Sequence, residues 1–166
     1  PKDVAVSNTA LVVDVSASMQ AKSGQSTRFE KALSYAKDNL KGDVSIILAQ
    51  SIPAILLERG GRSQAFDILK SMGAKETTSN IGDAMVLASD ILKGDGRIVV
   101  LSDFAYTEGA DPLVSKRLLT AKGYDVSLVD FSGKAENVGI TDLLLGRFES
   151  KAFIKNFNGK EKIVTL

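Results

Sequence analysis

The strongest constraint on this chain is an alternation. Short apolar runs, "NTALVVDVS", "DVSIILAQS", "GRIVVLSDF" and "YDVSLVDF", are separated by longer stretches whose apolar residues recur near helical spacing. Runs of about five apolar residues bounded by turn residues read as buried strands. In "STRFEKALSYAKDNLKG", Phe29, Leu33, Ala36 and Leu40 fall on one helical face, and Glu30 follows Thr27 by three positions as in a capping box. "RSQAFDILKSMG" and "SNIGDAMVLASDILKG" read as two more helices, the second capped by Ser79 or Asn80. "DPLVSKRLLTAKG" has Asp111 as cap, Pro112 in the first turn and Gly123 as stop. Strands alternating with helices predict an α/β fold: a Rossmann-like, mostly parallel central sheet with helices on both faces and right-handed crossovers.

The pattern changes after Gly133. "ENVGITDLLLG", "ESKAFIKNFNG" and "KEKIVTL" read as three strands without an intervening helix, with Asn158-Gly159 as a hairpin signal. We therefore expect an α/β domain over residues 1–135 and a β-strand segment over 136–166, the start of a β-sandwich that the chain does not complete. The alternative is that the first of these strands finishes the main sheet and the rest packs on its edge. Free strand edges in such a tail would invite self-association. The chain starts at Pro1 rather than Met, so we expect a fragment of a longer protein.

Composition narrows the chemistry. The 166 residues contain no cysteine and no histidine. Disulfides, thiolate metal sites, cysteine nucleophiles, imidazole zinc sites and histidine-based triads are excluded within one chain. Any metal must be held by oxygen. The formal net charge of +1 gives no electrostatic case for nucleic acid or an anionic membrane surface. No apolar run reaches the roughly 20 residues that span a bilayer, and no stretch of these residues reads as a signal peptide. There is no P-loop and no G-x-S-x-G elbow, and Ser34 and Lys37, which match S-x-x-K, lie mid-helix.

Two of the apolar strands end in aspartate, Asp14 and Asp103. In open α/β sheets, ligands bind beyond the carboxyl ends of the strands. Ser16 and Ser18 follow Asp14 at alternate positions, and Thr77, Thr78 and Ser79 precede a helix. If the two strands are neighbours, these oxygens converge. Mg²⁺ takes about six oxygens, keeps several waters and typically uses one or two carboxylates. The plainer alternative is a polar turn with local side-chain to backbone bonds for Asp14, Ser16, Ser18 and Asp103, and a helix N-cap for Thr78 or Ser79. Asp83 reads as a favourable charge in a first helical turn. Met19 reads as packed beneath the loop.

In these residues the chain resembles the von Willebrand factor type A domain and its metal-ion-dependent adhesion site. The D-x-S-x-S element is Asp14-Val15-Ser16-Ala17-Ser18, and the later aspartate is Asp103 in "IVVLSDF". The register of "SNIGDAM" puts Ser79 where the family carries threonine, with Thr78 as the second candidate. The resemblance spans residues from about 8 to 131. It implies a site of Asp14, Ser16, Ser18, Ser79 and Asp103 for Mg²⁺, or Mn²⁺ or Ca²⁺, completed by an Asp or Glu carboxylate of a protein partner. Phe104 and Tyr106, beyond Asp103 on the same rim, are candidate partner contacts, or else buried loop anchors. The resemblance extends to membrane-anchored prokaryotic members, so a membrane-anchored parent is expected for this span-free fragment. A metal-assisted phosphoryl-transfer or hydrolytic enzyme, and a purely structural domain, are the competing readings.

Overall fold

The computed structural model describes residues 8–74, 76, 78–105, 108–133, 138–145 and 149–156. In chain order, β1 (Asn8–Asp14) leads through a 3-10 turn (Ala17–Gln20) to a two-residue ribbon, β2 (Lys22–Ser23) with β3 (Ser26–Thr27). Then come α1 (Arg28–Asn39), β4 (Asp43–Ala49), β5 (Ala54–Gly60), α2 (Arg62–Ser71) and α3 (Ile81–Leu92). The domain continues with β6 (Arg97–Ser102), α4 (Pro112–Ala121) and β7 (Asp125–Asp130).

Five strands form one sheet in the order β5-β4-β1-β6-β7. Strands β4, β1, β6 and β7 run parallel, and β5 pairs antiparallel to β4 at the edge. The expected α/β architecture is therefore present. Strand β1 is central, and its side chains alternate between two cores as the strand period of two requires. Leu11 and Val13 join Ile46, Val99 and Leu101 beneath Phe29, Ala32, Ala36, Ala65 and Leu69 of α1 and α2. Ala10 and Val12 join Ile47, Ile98 and Val100 beneath Ile81, Ala84, Met85 and Ala88 of α3 and Leu119 of α4. Burial on both faces explains why these strands read as continuous apolar runs.

The caps follow the sequence closely. Thr27 and Glu30 form the capping box of α1, Asn80 Oδ1 accepts from the Asp83 amide, and Asp111 Oδ1 accepts from the Leu113 amide with Pro112 at the start of α4. Asn80, rather than Ser79, is thus the N-cap of α3. Asp83 lies in the first turn as expected, and its carboxylate accepts from Asn80 Nδ2 at 2.7 Å. Gly82 permits a close approach, since a Cβ there would stand 2.2 Å from the carbonyl oxygen of Ala110. The loop before α4 is thereby seated on the start of α3.

Beyond Gly133, β8 (Val138–Leu145) and β9 (Ser150–Asn156) pair antiparallel as a separate two-stranded sheet. Among the described residues β8 does not extend the five-stranded sheet. The expected third strand and the Asn158-Gly159 turn lie outside the described residues.

Candidate metal centre at the strand ends

Strand order decides where the polar residues meet. The central strand β1 has β4 on one side and β6 on the other, so chain direction across the sheet switches there. Val13 pairs with Leu101, which brings Asp14 beside Ser102 and Asp103 at the carboxyl ends of adjacent strands. This is the crevice position at which open α/β sheets bind ligands.

Asp14 is 1% exposed, and both its oxygens are engaged. Its Oδ1 accepts from the Ser16 amide at 2.9 Å, and its Oδ2 accepts from Ser102 Oγ. Ser102 Oγ in turn accepts from the Phe104 amide at 2.8 Å. Ser16 Oγ and Ser18 Oγ are 3.0 Å apart, and Ser18 Oγ donates to Asp103 Oδ1 at 2.9 Å. Asp103 Oδ1 also accepts from the Ala105 amide at 3.1 Å. The other oxygen, Oδ2, is paired with Arg28 Nη1. Met19 is fully buried beneath this loop, as expected.

Three further loops are tied to the same place. The Glu76 amide donates to Val15 O at 3.0 Å, the Asn80 amide to Gln50 O at 3.3 Å, and the Glu108 amide to Ser79 O at 2.7 Å. Ser79 is fully buried where these loops meet. Thr78 points its hydroxyl elsewhere, to Ser51 Oγ at 2.9 Å. Of the two hydroxyl candidates ahead of α3, Ser79 is therefore the one directed into the structure. Phe104 is half-buried with φ of 52°, packs against the core and lines a groove of about 590 Å³ with Pro112, Leu113, Leu128 and Asp130. Both readings of Phe104 thus have a structural footing. Tyr106 lies outside the described residues.

The donor set is all oxygen, which fits a hard cation. Among the described residues no three acidic side chains cluster, so a cation here depends on hydroxyls as well as on Asp14 and Asp103. Oxygens bound to Mg²⁺ at 2.0–2.1 Å are about 2.9 Å apart along an octahedral edge. The spacings of 3.0 and 2.9 Å along Ser16 Oγ, Ser18 Oγ and Asp103 Oδ1 are those of hydrogen bonds, and they are also compatible with that edge.

Burial holds the Asp14 carboxyl above its ordinary range, against the hydrogen bonds from Ser102 and Ser16, and the nearby Asp103 charge adds to the rise. The sign for stability follows. In the metal-free protein, folded Asp14 keeps its proton at pH values where the unfolded chain has lost it. Stability then falls as pH rises from the ordinary value of 3.8 through the raised folded value. Asp14→Asn removes that slope. Urea midpoints in EDTA should show wild type losing ground to the variant as pH rises, and a constant difference would contradict the assignment.

Sequence reasoning missed two participants. Ser102 was not singled out, although it is the polar residue closing an apolar strand. Arg28 was not singled out either, although a cation at the first position of a helix opposes the helix dipole and calls for a partner.

The family model described as von Willebrand factor type A domain matches residues 9–105. An aerotolerance-related membrane protein from Bacteroides fragilis, solved with multiple mutations to serines, superposes with a TM-score of 0.67 at 20% identity, covering 91% of this chain and 82% of that one. The conserved hypothetical protein BatB from Bacteroides thetaiotaomicron gives a TM-score of 0.64 at 24% identity, over 91% and 80% of the two chains. Proximal thread matrix protein 1 from the mussel byssus, with a zinc-occupied MIDAS motif, gives 0.57 at 12% identity, over 74% of this chain and 39% of that one. At these identities the likeness shows the fold. No curated protein sequence matches the chain.

Proposed function

The chain belongs to the von Willebrand factor type A domain family, and from that membership and the rim geometry we propose that it is a metal-dependent protein-interaction module. In this reading Asp14, Ser16, Ser18, Ser79 and Asp103 hold one divalent cation, Mg²⁺ in the cell, with Mn²⁺ or Ca²⁺ able to substitute. A partner's Asp or Glu carboxylate completes its shell. The observation that carries the reading is the convergence of Ser16 Oγ, Ser18 Oγ and Asp103 Oδ1, from the ends of two adjacent strands, into one hydrogen-bonded run of oxygens on the rim of the sheet. The mussel protein shares the fold and has a zinc-occupied MIDAS motif, which supports a cation-binding reading. When bound, the ion supplies a directional Lewis-acid contact to one carboxylate oxygen. Asp14, held by Ser16 and Ser102, fixes the D-x-S-x-S loop beneath it. Phe104, on the same rim, sets which partner sequence fits, and Tyr106 is the second candidate for that role from its place in the sequence.

An enzymatic reading has no comparable support. The two carboxylates assigned to the site, Asp14 and Asp103, are already engaged in hydrogen bonds. Among the described residues no helix is long and apolar enough to cross a membrane. The Bacteroides fragilis neighbour is a membrane protein, which supports a membrane-anchored parent for this domain. Self-association would run through the outer edges of β8 and β9, which pair only with each other among the described residues.

The deciding experiment is a pull-down from the source organism's envelope extract with immobilised domain, in Mg²⁺ and in EDTA, with free acetate as competitor. Capture in Mg²⁺ that is lost in EDTA and reduced by acetate is the expected result. Equal capture in both buffers would sink the metal-dependent reading.

A further inference from the structure

Arg28 is the unexplained cation of the candidate centre. It occupies the first position of α1, and its residue is 8% exposed. The positive end of a helix disfavours a cation there. Its Nη1 pairs with Asp103 Oδ2, and the same nitrogen lies 3.4 Å from the Ser18 carbonyl oxygen. Asp103 is fully buried at its side chain, so the pair is shielded from solvent. Arg28 Nε has no hydrogen-bond partner among the described residues. Asp103 therefore stands between two demands. Its Oδ1 faces Ser18 and the candidate cation position, and its Oδ2 is held by a resident positive charge.

We propose that Arg28 is a built-in counter-cation that sets the affinity of the rim site for divalent ions. The inference rests on the reading of the rim as a cation site. Two ionised carboxylates, Asp14 and Asp103, carry two negative charges, and Arg28 offsets one. A divalent ion then leaves the loaded site with one unit of positive charge, which suits one outside carboxylate. Without Arg28 the loaded site is neutral. The guanidinium lowers divalent affinity by repulsion across a poorly solvated gap. It also keeps Asp103 from standing as an uncompensated buried charge when no metal is bound. Weak cation binding by the free domain and added attraction for a carboxylate partner come from the same residue.

The test is Mn²⁺ titration calorimetry on wild type, Arg28→Gln and Arg28→Lys, paired with melting curves in EDTA and in Mn²⁺. Arg28→Gln should melt lower than wild type in EDTA, bind Mn²⁺ about tenfold more tightly, and gain more melting temperature from Mn²⁺. Arg28→Lys keeps the charge and should stay within about threefold of wild type. Equal or weaker Mn²⁺ binding by Arg28→Gln, with wild type binding normally, overturns the role of Arg28 and leaves the cation site standing. No Mn²⁺ binding by any of the three overturns both. Tight binding by Arg28→Gln alone supports the role in its strongest form. If Arg28→Gln does not fold even in Mn²⁺, the proposal also fails, because the metal should replace the missing charge.

Discussion

Replacing Ser16 and Ser18 together by alanine is expected to weaken Mn²⁺ binding on the order of 100-fold or more while leaving the metal-free domain folded. Residues that only orient a metal's ligands already cost on the order of 10- to 100-fold when changed, and these two hydroxyls are assigned as ligands themselves. The variant removes little else. The Ser16 amide still donates to Asp14 Oδ1, the Met19 amide still donates to Ser16 O, and the Ala21 amide still donates to Ser18 O. The loop's backbone path is therefore preserved. Its structural losses are the bond between Ser16 Oγ and Ser18 Oγ and the bond from Ser18 Oγ to Asp103, which keeps its partners Arg28 and Ala105. Titration calorimetry with the double variant, beside melting in EDTA, checks both halves. Unchanged Mn²⁺ affinity would remove these serines from the site.

The second large effect lies in the core. Leu101→Ala should lower stability by about 2–5 kcal/mol, the usual range for a fully buried leucine. Leu101 is 0% exposed on β6, paired with Val13 of β1 on one side and Val129 of β7 on the other. A domain of this kind has about 5–15 kcal/mol in total, so the loss is a large share. The urea midpoint should fall with the slope unchanged. Leu101 packs in the core beneath α1 and α2, while the backbone of β6 carries Ser102 and Asp103 onward to the rim. Saturating Mn²⁺ should therefore return part of the lost stability to the variant, as a ligand that binds only the folded state must. A loss below about 1 kcal/mol would mean that the β6 layer is packed more loosely than its burial indicates.

Several features of the fold were legible because they are local. The capping box of Thr27 and Glu30, the cap at Asp111 with Pro112, and the apolar runs of β1 and β6 are each decided within a few residues. The ribbon of Lys22–Ser23 with Ser26–Thr27 was not legible, since two-residue strands show no periodicity. Nor was the antiparallel direction of β5, which depends on what its edge pairs with rather than on its composition. The site divided along the same line. Asp14, Ser16 and Ser18 announce themselves by spacing, and Asp103 by ending an apolar strand. Their convergence depends on β6 lying next to β1, a tertiary fact. Thr78 and Ser79 are chemically near-equal in sequence. The structure parts them by sending Thr78 to Ser51, giving the cap to Asn80 and burying Ser79. Arg28 and Ser102 act across 75 and 88 residues of chain, so only strand order and helix placement bring them to their carboxylates.

The most direct measurement is a crystal structure of the domain soaked in Mn²⁺, with anomalous diffraction data collected to locate the metal. The expected result is one strong anomalous peak at the carboxyl ends of β1 and β6. It should lie about 2.0–2.3 Å from Ser16 Oγ and Ser18 Oγ, with the Ser79 hydroxyl, rather than that of Thr78, on the same ion. Asp14 and Asp103 should face that ion directly or through water. A fully ordered rim with no peak, or a peak held by other residues, would contradict the assignment of this rim as a cation-dependent interaction site.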